Sequence, residues 1–120
     1  MSIIISVLYQ LKILQLIQKQ QLRGAEIFAA QLSEELFLMG NEVLLVSIFE
    51  GNQKLPFSGK HVCIKAEASK RFCDRSSWKK LANLIAEFQP DIVQANAGDT
   101  LKYAAFSRIF FGWKAKLVFR

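Results

Sequence analysis

The segment KILQLIQKQQLRGAEIFAAQLSEELFLMGNEVLLVSIF, Lys12 to Phe49, changes its hydrophobic pattern twice. KILQLIQ, Lys12 to Gln18, is a short apolar run of the kind that forms a strand buried on both faces. From Ala25 to Met39 the period becomes helical. Ala25, Phe28, Ala29, Leu32, Leu36 and Met39 form one stripe, and Ser33, Glu34 and Glu35 fall off it. Glu26 lies in the first turn, where a negative charge suits the helix dipole, and Gly40 stands where a left-handed carboxyl-terminal cap is expected. EVLLVSIF, Glu42 to Phe49, is again a buried strand. Two buried strands joined through a helix predict a parallel βαβ unit.

The alternation continues to the last residue. EGNQKLPFSGK holds Gly51, Pro56 and Gly59 and reads as a loop, and HVCIKA, His61 to Ala66, as a weaker third strand. Ser76 or Ser77 is the expected cap of a helix from about Trp78 to Phe88, with Leu81, Leu84, Ile85 and Phe88 on one face. Pro90 stops that helix, and DIVQA, Asp91 to Ala95, is a fourth strand. Thr100 to Phe111 is helical in pattern, Gly112 ends it, and KLVF, Lys116 to Phe119, opens a fifth strand. The expected fold is a three-layer, Rossmann-like α/β domain with a parallel sheet in the order 3-2-1-4-5 and helices on both faces.

Composition sets bounds on partners. The chain has 120 residues, 52% hydrophobic and 22% charged, enough for one domain with its own core. A formal net charge of +6 favours an anionic partner: phosphate, nucleic acid or an acidic lipid surface. Cys63 and Cys73 lack metal-ligand spacing and read as reduced thiols. With His61 the only histidine, no metal is expected, and His61 itself reads as structural. The apolar start MSIIISVLYQLKILQLIQ is interrupted by Lys12, and each half is shorter than the roughly 20 residues a membrane span needs. It lacks a basic leader region, so the chain reads as cytoplasmic.

The turn from Gln18 to Gly24 draws attention because ligands in such sheets bind at the carboxyl ends of strands, where the strand order reverses. Backbone N–H groups at the start of the following helix favour an anion, and Gly24 lets one approach closely. The plainer alternative is a glycine that only eases a turn. The Gly-x-Gly-x-x-Gly fingerprint of dinucleotide enzymes is absent, as is the Gly-Lys-Ser/Thr of P-loops.

Two segments carry a resemblance. RGAEIFAAQLSEELFLMGNEVLLVS and PDIVQANAGDTLKYAAFSR are similar to the amino-terminal domain of family-4 retaining glycosyltransferases of the GT-B fold. That family has Gly-Gly-Ala-Glu, an amphipathic helix and Gly-His-Glu-Val; here the residues are Arg23-Gly24-Ala25-Glu26 and Gly40-Asn41-Glu42-Val43. Its Pro-Asp-Ile/Val-Val-His-Ala-His segment corresponds to Pro90 through Asn96, with Gln94 and Asn96 in the histidine places. Both amides can hydrogen-bond a sugar, but neither titrates near neutral pH. Arg23, in the first glycine's place, adds a cation and bulk beside the anion site.

The resemblance implies sugar transfer from a nucleotide-sugar donor, without a metal or other cofactor, to a glycan or lipid-linked acceptor of the cell envelope. A donor or acceptor cleft lined by Arg23, Gly24, Ala25, Gln94, Asn96 and Thr100 is expected from their shared place at strand carboxyl ends. The donor binds mainly to a carboxyl-terminal Rossmann-like domain in that family, and these residues hold none of it. Residues 12–120 are therefore expected to be a truncated amino-terminal domain, inactive alone. Residues 1–11 are either an apolar extension or a misassigned start, since the family's initiating Met falls at Leu11.

Charge supplies a second expectation. Seven basic residues lie between Lys60 and Lys80 against Glu67 and Asp74, and five lie between Leu101 and Arg120 with no acid. Lys102, Arg108, Phe111, Trp113, Lys114 and Lys116 form a candidate face for the inner surface of the cytoplasmic membrane, whereas the periodicity favours the core for Phe106 and Phe110. The alternative function is a stand-alone basic module for anionic lipid or nucleic acid. Nucleic acid is disfavoured because the aromatics sit in apolar patterns and are not interleaved with the basic residues.

Overall fold

A computed structural model describes residues 10–70 and 73–120. Its elements are β1 (Lys12–Lys19), α1 (Gly24–Leu38), β2 (Glu42–Phe49), β3 (Lys60–Cys63), a 3-10 turn (Ala68–Lys70), α2 (Arg75–Phe88), β4 (Ile92–Ala95), α3 (Thr100–Phe111) and β5 (Lys116–Phe119). The five strands form one sheet in the order β3-β2-β1-β4-β5, and every pairing is parallel. Both the expected order and the Rossmann-like three-layer class are present.

Alternation along β1 divides the core. Leu14 and Leu16 point to one face, where they meet Val93, Trp78, Leu81, Ile85 and Tyr103 under α2 and α3. Ile17 points to the other, where it meets Leu45, Ala29, Ala30 and Leu55 under α1. Strands buried on both faces need apolar side chains at successive positions, and Ile13–Ile17 and Val43–Phe49 are buried throughout. Among the described residues no helix is long and apolar enough to cross a membrane.

Three local readings change. The buried stripe of α1 is Glu26, Ala29, Ala30 and Ser33, while Phe28 is 50% and Met39 68% exposed. Small side chains let this helix lie close to the sheet, so Ala29, Ala30 and Ser33 face it, Ile27, Leu32 and Leu36 are half-buried at its margins, and Phe28, Phe37 and Leu38 stay outside. The Ser33 hydroxyl donates to Ala29 O at 2.7 Å, which satisfies it inside the core. Next, α2 begins three residues before Trp78. Its cap is Asp74, whose Oδ1 accepts from Ser77 N at 3.0 Å, while Ser77 itself is a buried residue of the first turn. Lastly, β3 ends at Cys63, although Ile64 N and Ala66 N still donate to Ser47 O and Ile48 O. A left-handed Lys65, φ 61°, breaks the regular ladder between them. The start-site reading of residues 1–11 falls mainly on residues 1–9, outside the described residues.

Candidate functional site

The carboxyl ends of β1, β2, β4 and β5 lie side by side, and the turns that leave them are tied together. Gln53 holds the β1–α1 turn: its N donates to Gln20 O at 3.3 Å, and its Oε1 accepts from Leu22 N at 2.8 Å. Gly51, after β2, lies so close to Gln20 that a Cβ there would overlap the Gln20 backbone. Gly98, after β4, has φ +60°, and a Cβ there would overlap Gln18 Oε1. Close approach to backbone requires glycine at position 51, and the left-handed φ favours it at position 98. An open depression of about 480 Å³ at this end is lined by Lys19, Glu50, Gly51 and Asn52.

Arg23 is the N-cap residue of α1. Its backbone is extended (φ −117°, ψ 161°), and no side chain caps the helix. Gly24 is the first helical residue, is exposed, and has open space where a Cβ would stand. Ala25 is half-buried. The amino end of α1 thus opens to solvent beside an exposed arginine, in the orientation that suits an anion.

The residues from the second segment are occupied differently. Asn96 is 1% exposed. Its Nδ2 donates to Gln15 Oε1 at 2.9 Å, Leu16 O at 3.1 Å and Gln94 O at 3.2 Å. Its Oδ1 accepts from Arg120 Nε at 3.0 Å. Gln94 accepts from Gln15 Nε2 at 3.0 Å through Oε1. Thr100 is fully buried, and its hydroxyl donates to Ala97 O at 2.6 Å. Gln94 and Asn96 therefore belong to one amide network within the sheet, and Thr100 closes the turn that starts α3.

Arg120 joins the two groups. Its guanidinium is held by Asn96, donates to Ala25 O at 3.4 Å through Nη2, and lies 4.2 Å over the Phe28 ring. The structure thus brings Arg23, Gly24, Ala25 and Asn96 to one end of the sheet, with Gln94 one step inside and Thr100 buried in the turn after β4. Sequence reasoning missed Gln15 and Arg120. Gln15 had a signal: an amide in the middle of a buried strand must find partners. Arg120 had none, because nothing local says where a last-strand arginine will reach.

Two carboxylates stand at this end: Glu50 lines the depression, and Glu26, buried in the first turn of α1, accepts from Gln21 Nε2 at 3.3 Å. His61 lies on β3, with its buried Nε2 unpartnered among the described residues and its pKa lowered from 6.5 by burial. Among the described residues no three His, Cys, Asp or Glu side chains gather as a metal site. The site can hold and orient, by backbone N–H groups, a guanidinium and amides.

On the candidate membrane face, Lys102 pairs with Asp99 at 3.8 Å, and Arg108 lies 5.8 Å over the Trp113 ring. Trp113 is half-buried and donates from Nε1 to Ser107 Oγ at 3.1 Å; Phe111 is partly exposed, and Lys114 and Lys116 are exposed. Phe106 and Phe110 are not core residues: they stack on buried Trp78 from outside, 37% and 49% exposed. The inner side of α3 is filled by Tyr103, Ala104 and Ser107, which leaves them no room within.

Comparison of the sequence with protein-family models and with curated proteins finds no match.

Proposed function

We propose that this chain is the acceptor-side, Rossmann-like part of a sugar transferase that uses a nucleotide-sugar donor. The observation that carries this reading is the contact between the two segments similar to the glycosyltransferase family. The carboxyl end of β1 and the turn after β4 touch through Gln18 and Gly98, and Arg120 bridges Asn96 to Ala25 at the open start of α1. In the reaction, a bond forms between the acceptor oxygen and the anomeric carbon as the bond to the diphosphate breaks. The acceptor proton leaves with the nucleoside diphosphate. The chain contributes positioning and a positive field from Arg23, Arg120 and the α1 amino end, two means by which a site accelerates transfer. The acceptor is an envelope glycan or a lipid-linked sugar, and the reaction takes place at the inner face of the cytoplasmic membrane.

The test is turnover of nucleotide sugars by the purified 120-residue chain and by the polypeptide encoded with any in-frame continuation beyond Arg120. The expected result is no turnover by the chain alone and turnover by a longer product carrying a second α/β half. Turnover by the chain alone above a buffer control, or a longer product with no such half, would overturn the reading.

A further inference from the structure

We propose that the outer face of α3, with the first two turns of α2, docks on an anionic lipid bilayer. The proposal rests on the membrane part of the reading above and is independent of sugar transfer. The inner side of α3 is complete without its largest side chains: Thr100, Tyr103, Ala104 and Ser107 are buried, and Ser107 Oγ donates to Trp78 O at 2.7 Å. Phe106, Ile109 and Phe110, spaced on one helical face, stay outside. Ile109 is 74% exposed, the highest value among the described large apolar residues.

Beneath them is a fixed shelf. The rings of Phe106 and Phe110 stack on Trp78 with centroids 4.9 and 5.4 Å away. Cations frame the shelf. Arg75 lies 5.2 Å over the Phe110 ring, Lys79 is one turn further along α2 and exposed, and Arg108 adjoins Ile109. Neither α3 nor the first three turns of α2 contains an acid. Asp74, before α2, is buried and spent on capping, and Asp99, before α3, pairs with Lys102.

Charge selects the occupant. A second copy meeting this face about a two-fold axis would set Arg75, Lys79 and Arg108 against their own counterparts with no acid to pair. Nucleic acid would need ring faces free to stack on bases, whereas one face of Phe106 and of Phe110 lies on Trp78, Arg75 lies over the Phe110 ring, and the crest of the face is the aliphatic Ile109. A bilayer needs apolar side chains at the crest and cations at its rim, which is this arrangement. Ile109 and Phe110 enter the headgroup boundary while Arg75, Lys79 and Arg108 meet lipid phosphates. Trp113, tied to Ser107, supports the shelf and does not insert.

The experiment is co-sedimentation of the 120-residue chain with phosphatidylcholine vesicles, with and without about one-third phosphatidylglycerol. Expected are binding at least about tenfold tighter to the anionic vesicles and its loss in high salt. Ile109→Asp, and Arg75→Glu with Lys79→Glu, should each weaken binding about tenfold with the thermal midpoint unchanged. Leu38→Asp, at a residue 69% exposed on α1, should bind as the parent chain does. Equal binding to both vesicles, binding to neither, or an equal loss in Leu38→Asp would overturn the proposal. So would a concentration-dependent dimer, seen by sedimentation velocity, that Ile109→Asp abolishes. The assay contains no nucleotide sugar, so its failure leaves the transfer reading standing, and failure of transfer leaves vesicle binding to be read by itself.

Discussion

Gly24 and Gly98 are both glycines at the ligand end of the sheet, but substitution should act on different quantities. Gly24 has free space beyond its α-carbon, so Gly24→Val is expected to fold with a thermal midpoint close to the parent's and to lose most transfer activity in the longer product, because the β-branched side chain occupies the anion's approach. Unchanged activity would remove Gly24 from the site. Gly98→Ala puts a Cβ on a left-handed φ and makes the Gln18 amide swing aside, and should cost about 1–2 kcal/mol by urea denaturation. Asn96→Ala should cost about 1–3 kcal/mol, since it leaves Gln15 Oε1 buried and unpaired and releases Arg120. His61 gives a pH signature. Burial lowers its folded pKa, so as pH falls through 6.5 the unfolded chain takes up a proton before the folded chain does. Stability therefore falls below pH 6.5 and levels off below the lower, folded pKa. His61→Gln should flatten that segment of a plot of urea midpoint against pH.

At the level of elements, α2 is the helix whose start is capped by a side chain, while the N-cap residues of α1 and α3 make no side-chain cap. Asp74 caps α2, and its other oxygen lies 3.5 Å from the Tyr103 hydroxyl on α3, so one carboxylate serves two helices. Asp74→Ala is expected to cost about 1–2 kcal/mol, while Asp74→Asn, which still presents an oxygen to Ser77 N, should cost less; denaturant midpoints compare them. Legibility differed among the elements for physical reasons. The buried strands and the span of α3, Thr100 to Gly112, could be read directly, because apolar runs and a terminal glycine are local signals. The orientation of α1 could not. Its stripe of large apolar residues suggested one buried face, but close approach to the sheet selected Ala29, Ala30 and Ser33. The two ends of the site also differed. The Arg23–Ala25 turn follows from its place after the first strand, whereas the bonds of Asn96 depend on Gln15 and Arg120, which only the folded sheet brings near.

For the whole molecule, the central strand decides cooperativity. β1 is flanked by β2 on one side and β4 on the other. A chain ending at Phe88 keeps α1 and α2 but leaves β1 without β4, and is expected to show no cooperative thermal transition by circular dichroism. The parallel order also separates partners widely along the chain: Gln15 and Gln94, hydrogen-bonded in the folded sheet, are 79 residues apart. On the ribosome, at the usual rates of chain growth, β1 emerges roughly 4 to 16 s before its second neighbour has been made. During that interval Ile13–Ile17 can pair with β2 alone, and their other edge stays open to any passing strand. The amide of Gln15 is then still solvated, and it lowers the hydrophobicity of that waiting edge. Gln15→Leu is therefore expected to raise the aggregated fraction during synthesis, read by light scattering of a cell-free translation, and an unchanged fraction would remove this second role from Gln15.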